Sequence, residues 1–344
     1  MILLRILLFP FTWLYYLVTE IRNRLYDQGL KPSVTFDIPV VSVGNLSIGG
    51  TGKTPMIEYL IRLLPDNIKI ATLSRGYGRR TKGTRIADNA DDALSIGDEP
   101  FQFYKKFGTH ITVAVGEERA LAIPLILHER PETKVILLDD AFQHRPVVPR
   151  FSILLTDYNR PFYNDYLLPS GRLRESRRSA ERADVIIVTK CPENISEQEM
   201  KGIEKSIEKY TRRPVFFTRV HYGRPMPYTN AALTISQKVV LITAIANSKP
   251  LESYVDRTYS LLKHFNYRDH HYYTEGEIKS WIAISNESPD ICFLTTEKDM
   301  VKLDAPEFQN LISGRPFFYL PIEIAFIKAG KDFDEMLLKI VQDA

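Results

Sequence analysis

Cysteine is almost missing from this chain. Cys191 and Cys292 lie far apart, and neither belongs to a C-x-x-C spacing. A disulfide framework and a zinc site therefore have no support, and a reducing compartment is the natural setting. Excess charge of either sign is missing too, since 45 basic and 42 acidic side chains leave a net +3. That is too little to argue for nucleic acid as a partner. No internal repeat or low-complexity run interrupts the chain. No uncharged run is long either: after Arg5 the apolar N-terminal stretch extends only from Ile6 to Val18, which is short for a bilayer span. No small-residue cleavage site follows it, which disfavours a secretory signal.

What is present starts with that segment. Leu14, Leu17, Val18, Ile21 and Leu25 follow helical spacing, while Glu20, Arg22, Asn23, Arg24 and Asp27 take the other face. Phe9, Phe11, Trp13, Tyr15 and Tyr16 sit among arginines, a composition suited to a membrane interface. A core helix is the competing reading; length and aromatic content favour an amphipathic membrane-associated helix within residues 1–30.

The chain is organised around Ile38 to Thr54. Val40, Val41 and Val43 mark a buried strand, and a Gly-rich turn ends in Gly52-Lys53-Thr54 before a helical pattern from Pro55 to Leu64. This is a phosphate-binding loop. Ser47, Ile48, Gly49, Gly50, Thr51 and Gly52 would wrap backbone N–H groups around a polyphosphate, Lys53 would reach its outer phosphates, and Thr54 would offer a hydroxyl to Mg²⁺. The usual pattern has glycine where this chain has Ser47.

Val135-Ile-Leu-Leu-Asp139-Asp140 is a strand ending in acids, one of which fills the Mg²⁺-holding role. Strands at Ile68 to Ser74, Ile111 to Val115, Phe151 to Thr156 and Val185 to Thr189 alternate with helices, the mark of a doubly wound parallel sheet. The fold expected is α/β: a P-loop NTPase-like, mostly parallel sheet with helices on both faces over residues 31–220. A smaller α/β domain over 221–344 is expected to follow it, with its last helix packing back on the core. Thr189-Lys190 ends a strand where GTPases carry a base-reading Asn-Lys-x-Asp, but Cys191-Pro192-Glu193 follows, so the guanine-reading aspartate is absent.

Other features stay open on local grounds. Asp98, in Gly97-Asp-Glu-Pro100, reads locally as a helix N-cap. Five arginines between Arg172 and Arg182 fit either a solvated helical face or a phosphate or headgroup site. Asp269-His270-His271 is either a group of tuned bases or a polar turn. His144 alone reads as structural.

Taken together, Ser42 to Thr54, Ser74-Arg-Gly-Tyr-Gly78, Gly97-Asp-Glu-Pro100, Leu138-Asp-Asp-Ala-Phe-Gln-His144, Arg172-Leu-Arg-Glu175, Asp269-His270 and Thr296-Glu-Lys-Asp299 resemble the lipid A 4'-kinase family. Ala141 and Arg172 depart from its usual glycine and smaller residue. The resemblance implies transfer of phosphate from ATP, with Mg²⁺, to the 4'-hydroxyl of a tetraacyl disaccharide 1-phosphate, giving lipid IVA at the cytoplasmic face of the bacterial inner membrane. It implies Asp98 as catalytic base supported by His270, with Tyr77, Arg119, Arg174 and Glu175 lining the site. It names no protein partner. A nucleotide-switched membrane-binding P-loop module is the alternative.

Overall fold

The computed structural model describes residues 2–229, 234–287 and 290–342. Met1 and residues 343 and 344, where the expected N-terminal and C-terminal units begin and end, lie outside the described residues. The chain first forms strands β1 (Val40–Asn45), β2 (Ile70–Ser74), β3 (Arg85–Ile86), β4 (Thr112–Val115), β5 (Val135–Asp139), β6 (Phe151–Asp157), β7 (Val185–Thr189) and β8 (Val215–Tyr222). It then builds β9 (Met226–Pro227), β10 (Lys238–Thr243), β11 (Ser260–Asn266), β12 (Ile291–Thr296) and β13 (Phe317–Leu320), and finally β14 (Ile322–Lys328).

Nine strands form the larger sheet, in the order β14-β8-β7-β6-β1-β5-β2-β4-β3. Its interior pairs are parallel, and only β3 with β4 and β14 with β8 run antiparallel. Every residue of β1 and β5 is buried, as a parallel strand covered on both faces requires. Alternation along β1 explains the layers. Val41 and Val43 pack with Met56, Ile57 and Leu60 of the helix Lys53–Leu63. Val40 packs to the other side with Ala122, Ile123 and Ile126 of the helix Arg119–Glu129.

The second sheet has the order β11-β10-β12-β13-β9. Val240 and Ile242 face Ile278 and Trp281 on one side, and Val239 and Leu241 face Leu251 and Val255 on the other. β14, which sequence reading overlooked, crosses back and pairs with β8 along Ile322 to Lys328. The helix Gly330–Gln342 follows it and buries Phe333, Leu337 and Val341 in the core beneath β1.

The N-terminal helix Ile2–Asp27 contains Pro10. Its polar edge, rather than its apolar stripe, meets the body. Tyr15 Oη donates to the Arg174 carbonyl at 2.9 Å, Arg22 Nη2 to the Gln143 carbonyl at 2.6 Å, and Asn23 is buried. Leu7, Phe9, Phe11, Trp13, Leu14, Leu17, Val18 and Ile21 are exposed instead. This arrangement overturns the core-helix reading for that stretch. Among the described residues no helix is long and apolar enough to cross a membrane.

Candidate active site

The site collects at the carboxyl ends of the central parallel strands, where ligands of open α/β sheets bind. After β1 the loop rises through Gly49 (φ 111°) and closes at Gly52 (φ 88°), the N-cap of the helix Lys53–Leu63. Glycine adopts such positive-φ positions without strain, and they lead the chain into a helix end that favours anions. Ser47 needs no glycine because it lies in an antiparallel bridge with Leu173, continued by Ile48 N donating to Arg172 O at 2.8 Å. Thr54 occupies the first helical turn.

Three residues to which sequence reading gave no part in the loop hold its shape. Asn45 Nδ2 donates to Thr51 Oγ1 at 2.7 Å, and Thr189 Oγ1 donates to the Thr51 carbonyl at 2.9 Å. Lys190, with φ 59°, donates to the Gly50 carbonyl and to Asp157 Oδ2, the latter at 2.8 Å. Asn45 had a usable signal, because it ends the strand that feeds the loop. Lys190 stood out only for the motif it failed to complete.

Beside this loop β5 delivers its two acids. Asp140 is left-handed (φ 48°), which swings its carboxylate to Arg174 in a two-point contact, Nη1–Oδ2 3.1 Å and Nη2–Oδ1 2.7 Å. Lys53 Nζ lies 3.8 Å from the same group. Asp139 is buried; its Oδ2 accepts from Ser74 Oγ at 3.4 Å, and its Oδ1 has no hydrogen-bond partner. Burial, with the Glu99 charge, pushes Asp139 up to about 7 despite the nearby Lys53. Arg119 is buried next to this pair; desolvation lowers its pKa while Asp139 and Asp140 act to raise it.

Asp98 lies in the first turn of the helix Asp98–Phe107, whose N-cap is Gly97, and its side chain makes no cap hydrogen bond. The local N-cap reading therefore fails. Gly97 (φ 98°) lets the turn Gly76–Gly78 press in: a Cβ there would meet the Tyr77 carbonyl at 3.1 Å. The Asp98 carboxylate instead turns to the other sheet, where Oδ2 lies 3.0 Å from Nδ1 of His270. His270 is left-handed (φ 61°), with Lys298 Nζ 3.3 Å from its Nε2 and the Tyr77 ring 5.3 Å from its own. Burial alone would raise the Asp98 carboxyl. The His270 hydrogen bond and the charges of Lys302, His270 and Lys298 outweigh it and hold the group below the ordinary range.

The remaining candidates separate. Tyr77 is exposed beside His270. Glu175 is buried, bonded to Arg182 and 3.5 Å from Arg22; it anchors the segment that presents Arg174. The arginine-rich stretch is no continuous solvated face, because Arg174, Arg177 and Arg182 all hold internal acceptors. His144 is half-buried and held at about 4 by desolvation and by Arg119, Arg22 and Arg75, so its imidazole is neutral at pH 7.

The arrangement pairs a polyphosphate cradle and an acidic strand end with an ionised carboxylate–imidazole couple. This division suits phosphoryl transfer. The family model described as tetraacyldisaccharide-1-P 4'-kinase, LpxK, matches residues 4–342. A tetraacyldisaccharide 4'-kinase of Flavobacterium johnsoniae is 42% identical over 345 residues, covering 99% of this chain and 98% of the relative. One of Flavobacterium psychrophilum is 44% identical over 347 residues, covering 99% and 98%. The crystal structure of the "apo" form of LpxK from Aquifex aeolicus in complex with ATP superposes with a TM-score of 0.76 at 28% identity, covering 98% of this chain and 99% of that one.

Proposed function

The chain belongs to the tetraacyldisaccharide-1-P 4'-kinase family, and from that membership and the site geometry we infer how its residues divide the reaction. It is an ATP-dependent tetraacyldisaccharide 4'-kinase of lipid A biosynthesis. The nucleotide-switched docking module is not favoured, since the relatives are kinases.

On this reading the loop amides of Ser47 to Gly52 and the Lys53 ammonium hold the ATP phosphates. Thr54, Asp139 and Asp140 would hold Mg²⁺, and the buried, unpartnered Asp139 Oδ1 fits such an ion. The ion would neutralise charge on the transferring phosphate. Asp98 takes the proton of the 4'-hydroxyl, and His270 orients its carboxylate. Tyr77, Arg119 and Arg174 border the acceptor, with Glu175 fixing the Arg174 segment. The acceptor is a tetraacyl disaccharide 1-phosphate and the product lipid IVA. The division of labour follows residues 31–220 and 221–344, with β14 and the last helix contributing to the first body.

The 3.0 Å contact between Asp98 and His270, made across the two sheets, carries this assignment. Its test is transfer of labelled phosphate from ATP to the tetraacyl disaccharide 1-phosphate by Asp98→Asn. Loss of a general base is expected to lower kcat by about 10²–10⁴-fold, with ATP affinity kept; a variant at full rate would refute it.

The broad outward apolar face from Leu7 to Ile21 supports a second element of the reading: the helix Ile2–Asp27 lies in the interface of the inner membrane, on its cytoplasmic face. Flat insertion of Trp13, Leu14, Leu17 and Ile21, with Phe9 and Phe11 at the two edges of that face, would bury apolar area while Tyr15 and Arg22 keep the helix joined to the site. Serine at Phe9, Phe11 and Trp13 together should release the protein from liposomes with little change in ATP affinity. Undiminished liposome binding would count against the anchor.

A further inference from the structure

The short helix Glu297–Leu303 stands behind the Asp98–His270 couple and presents two lysines to it. Lys298 reaches the outer ring nitrogen of His270. Lys302 reaches the carboxylate itself, with Nζ 3.7 Å from Asp98 Oδ2. All three charged groups of this second contact are withdrawn from water: side-chain exposure is 1% for Lys302, 2% for Asp98 and 0% for Asp299. A buried ammonium is retained only where anions compensate it, so the placement of these partners is informative.

Asp299 is the fixed member of the set. Its Oδ2 accepts from Ala244 N at 2.9 Å and from Thr296 Oγ1 at 2.7 Å, which leaves Oδ1 to hold Lys302 Nζ at 3.1 Å. The ammonium is thereby pinned from the second sheet and aimed at Asp98. On Asp98, Oδ2 receives both His270 and Lys302 while Oδ1 has no hydrogen-bond partner. The other groups facing this carboxylate are the phenol of Tyr272 and the charge of Lys298, with the Tyr77 ring beyond His270. Lys302 also lies 5.9 Å from the centre of the Tyr273 ring.

We propose that Lys302 is a positioning residue of the kinase: held by Asp299, it keeps the Asp98 carboxylate ionised and turned so that Oδ1 is the oxygen that takes the acceptor proton. The proposal rests on the reading of Asp98 as the base. It gives Lys302 a share in the task beside His270, since both groups hold the same oxygen, Oδ2.

The experiment is the pH profile of kcat/KM for phosphoryl transfer to the tetraacyl disaccharide 1-phosphate in Lys302→Met, Lys302→Arg, Asp299→Asn and Asp98→Asn. In Lys302→Met the acidic limb should move to higher pH by about one to three units, the usual effect of losing an adjacent opposite charge. Below the limb this is a tenfold or greater loss of rate, recovered at alkaline pH. Lys302→Arg should return the limb toward its wild-type position. Asp299→Asn removes the anion that competes for the ammonium, so its limb should move to lower pH, a sign that a purely structural role would not produce. If Lys302→Met does not fold, Asp299→Asn decides. A folded Lys302→Met with its limb in place, or an Asp299→Asn limb unmoved or raised, would overturn the proposal. Full activity in Asp98→Asn would remove the base assignment and the proposal with it. An inactive Asp98→Asn beside unmoved limbs would overturn the Lys302 role alone.

Discussion

Gly44 offers the sharpest test of how the strand that feeds the phosphate loop is coupled to the acids beside it. It lies in β1, and a Cβ built there would come within 2.6 Å of Phe142 Cβ and 2.8 Å of Phe142 N. An ordinary carbon–carbon contact is about 3.5–4.0 Å, so Gly44→Ala forces the Phe142 backbone back by about an ångström. Phe142 cannot yield freely, since it is buried and its ring lies under the Arg182 guanidinium at 4.7 Å. The clash should cost about 1–3 kcal/mol, as overpacking typically does. The displacement also travels two residues along the chain to Asp140 and three to Asp139. A misplacement of that size lowers a positioned reaction by about 10²-fold. Urea unfolding of the variant should therefore show the stability loss, and kcat should fall far more than ATP affinity, because Gly49, Gly50 and Gly52 are untouched. An alanine variant with wild-type stability and wild-type kcat would show that the β1 and β5 ends are not packed as described.

Two further outcomes follow from the same packing and charges. Phe333 sits among Tyr59, Phe216 and Phe326 at ring separations of 6.3, 5.6 and 5.0 Å; Phe333→Ala should cost about 3–5 kcal/mol in urea unfolding, and a loss below 1 kcal/mol would refute the docking of the last helix. Asp98 has a folded-state pKa below its unfolded value, so its stabilising contribution is complete above the unfolded pKa of about 3.9 and is lost as pH falls through the folded one. The stability gap between wild type and Asp98→Asn should shrink as pH drops below about 4, and a gap independent of pH would contradict the sign.

Local sequence exposed the phosphate-loop side of the candidate site and little of the Asp98–His270 side. The strand, glycine turn and helix around Lys53 are contiguous, so spacing alone exposed them. Asp139 and Asp140 were legible because an apolar run ends on them. Asp98 was not, since an acid before a helix is ordinary capping chemistry until His270, 172 positions away, is brought to it. Lys302 was hidden for the same reason. The family resemblance pointed to Asp98 and His270 where local chemistry did not. Helical spacing separated residues 14 to 27 into two faces only in part: Arg22 and Asn23 meet the protein, but Arg24 and Asp27, assigned to the same face, are exposed with Leu14, Leu17, Val18 and Ile21. β14 was missed because its pairing partner, β8, lies a whole sheet earlier in the chain.

The crossing between the two sheets has a mechanical consequence. The chain leaves the larger sheet after Tyr222 and returns at Ile322, and these two residues are paired, with Gly223 N bonded to the Pro321 carbonyl at 2.8 Å. Both passages thus run side by side as one two-stranded ribbon. Neither passage can slide along the other without breaking these bonds, so the ribbon fixes where the second body joins the first. A second seam, where Val301 packs among Ile96 and Phe101 and Lys106 pairs with Glu297, fastens the same two bodies at another point. Two separated fastenings fix an orientation as well as a position, and His270 meets Asp98 in the orientation they set.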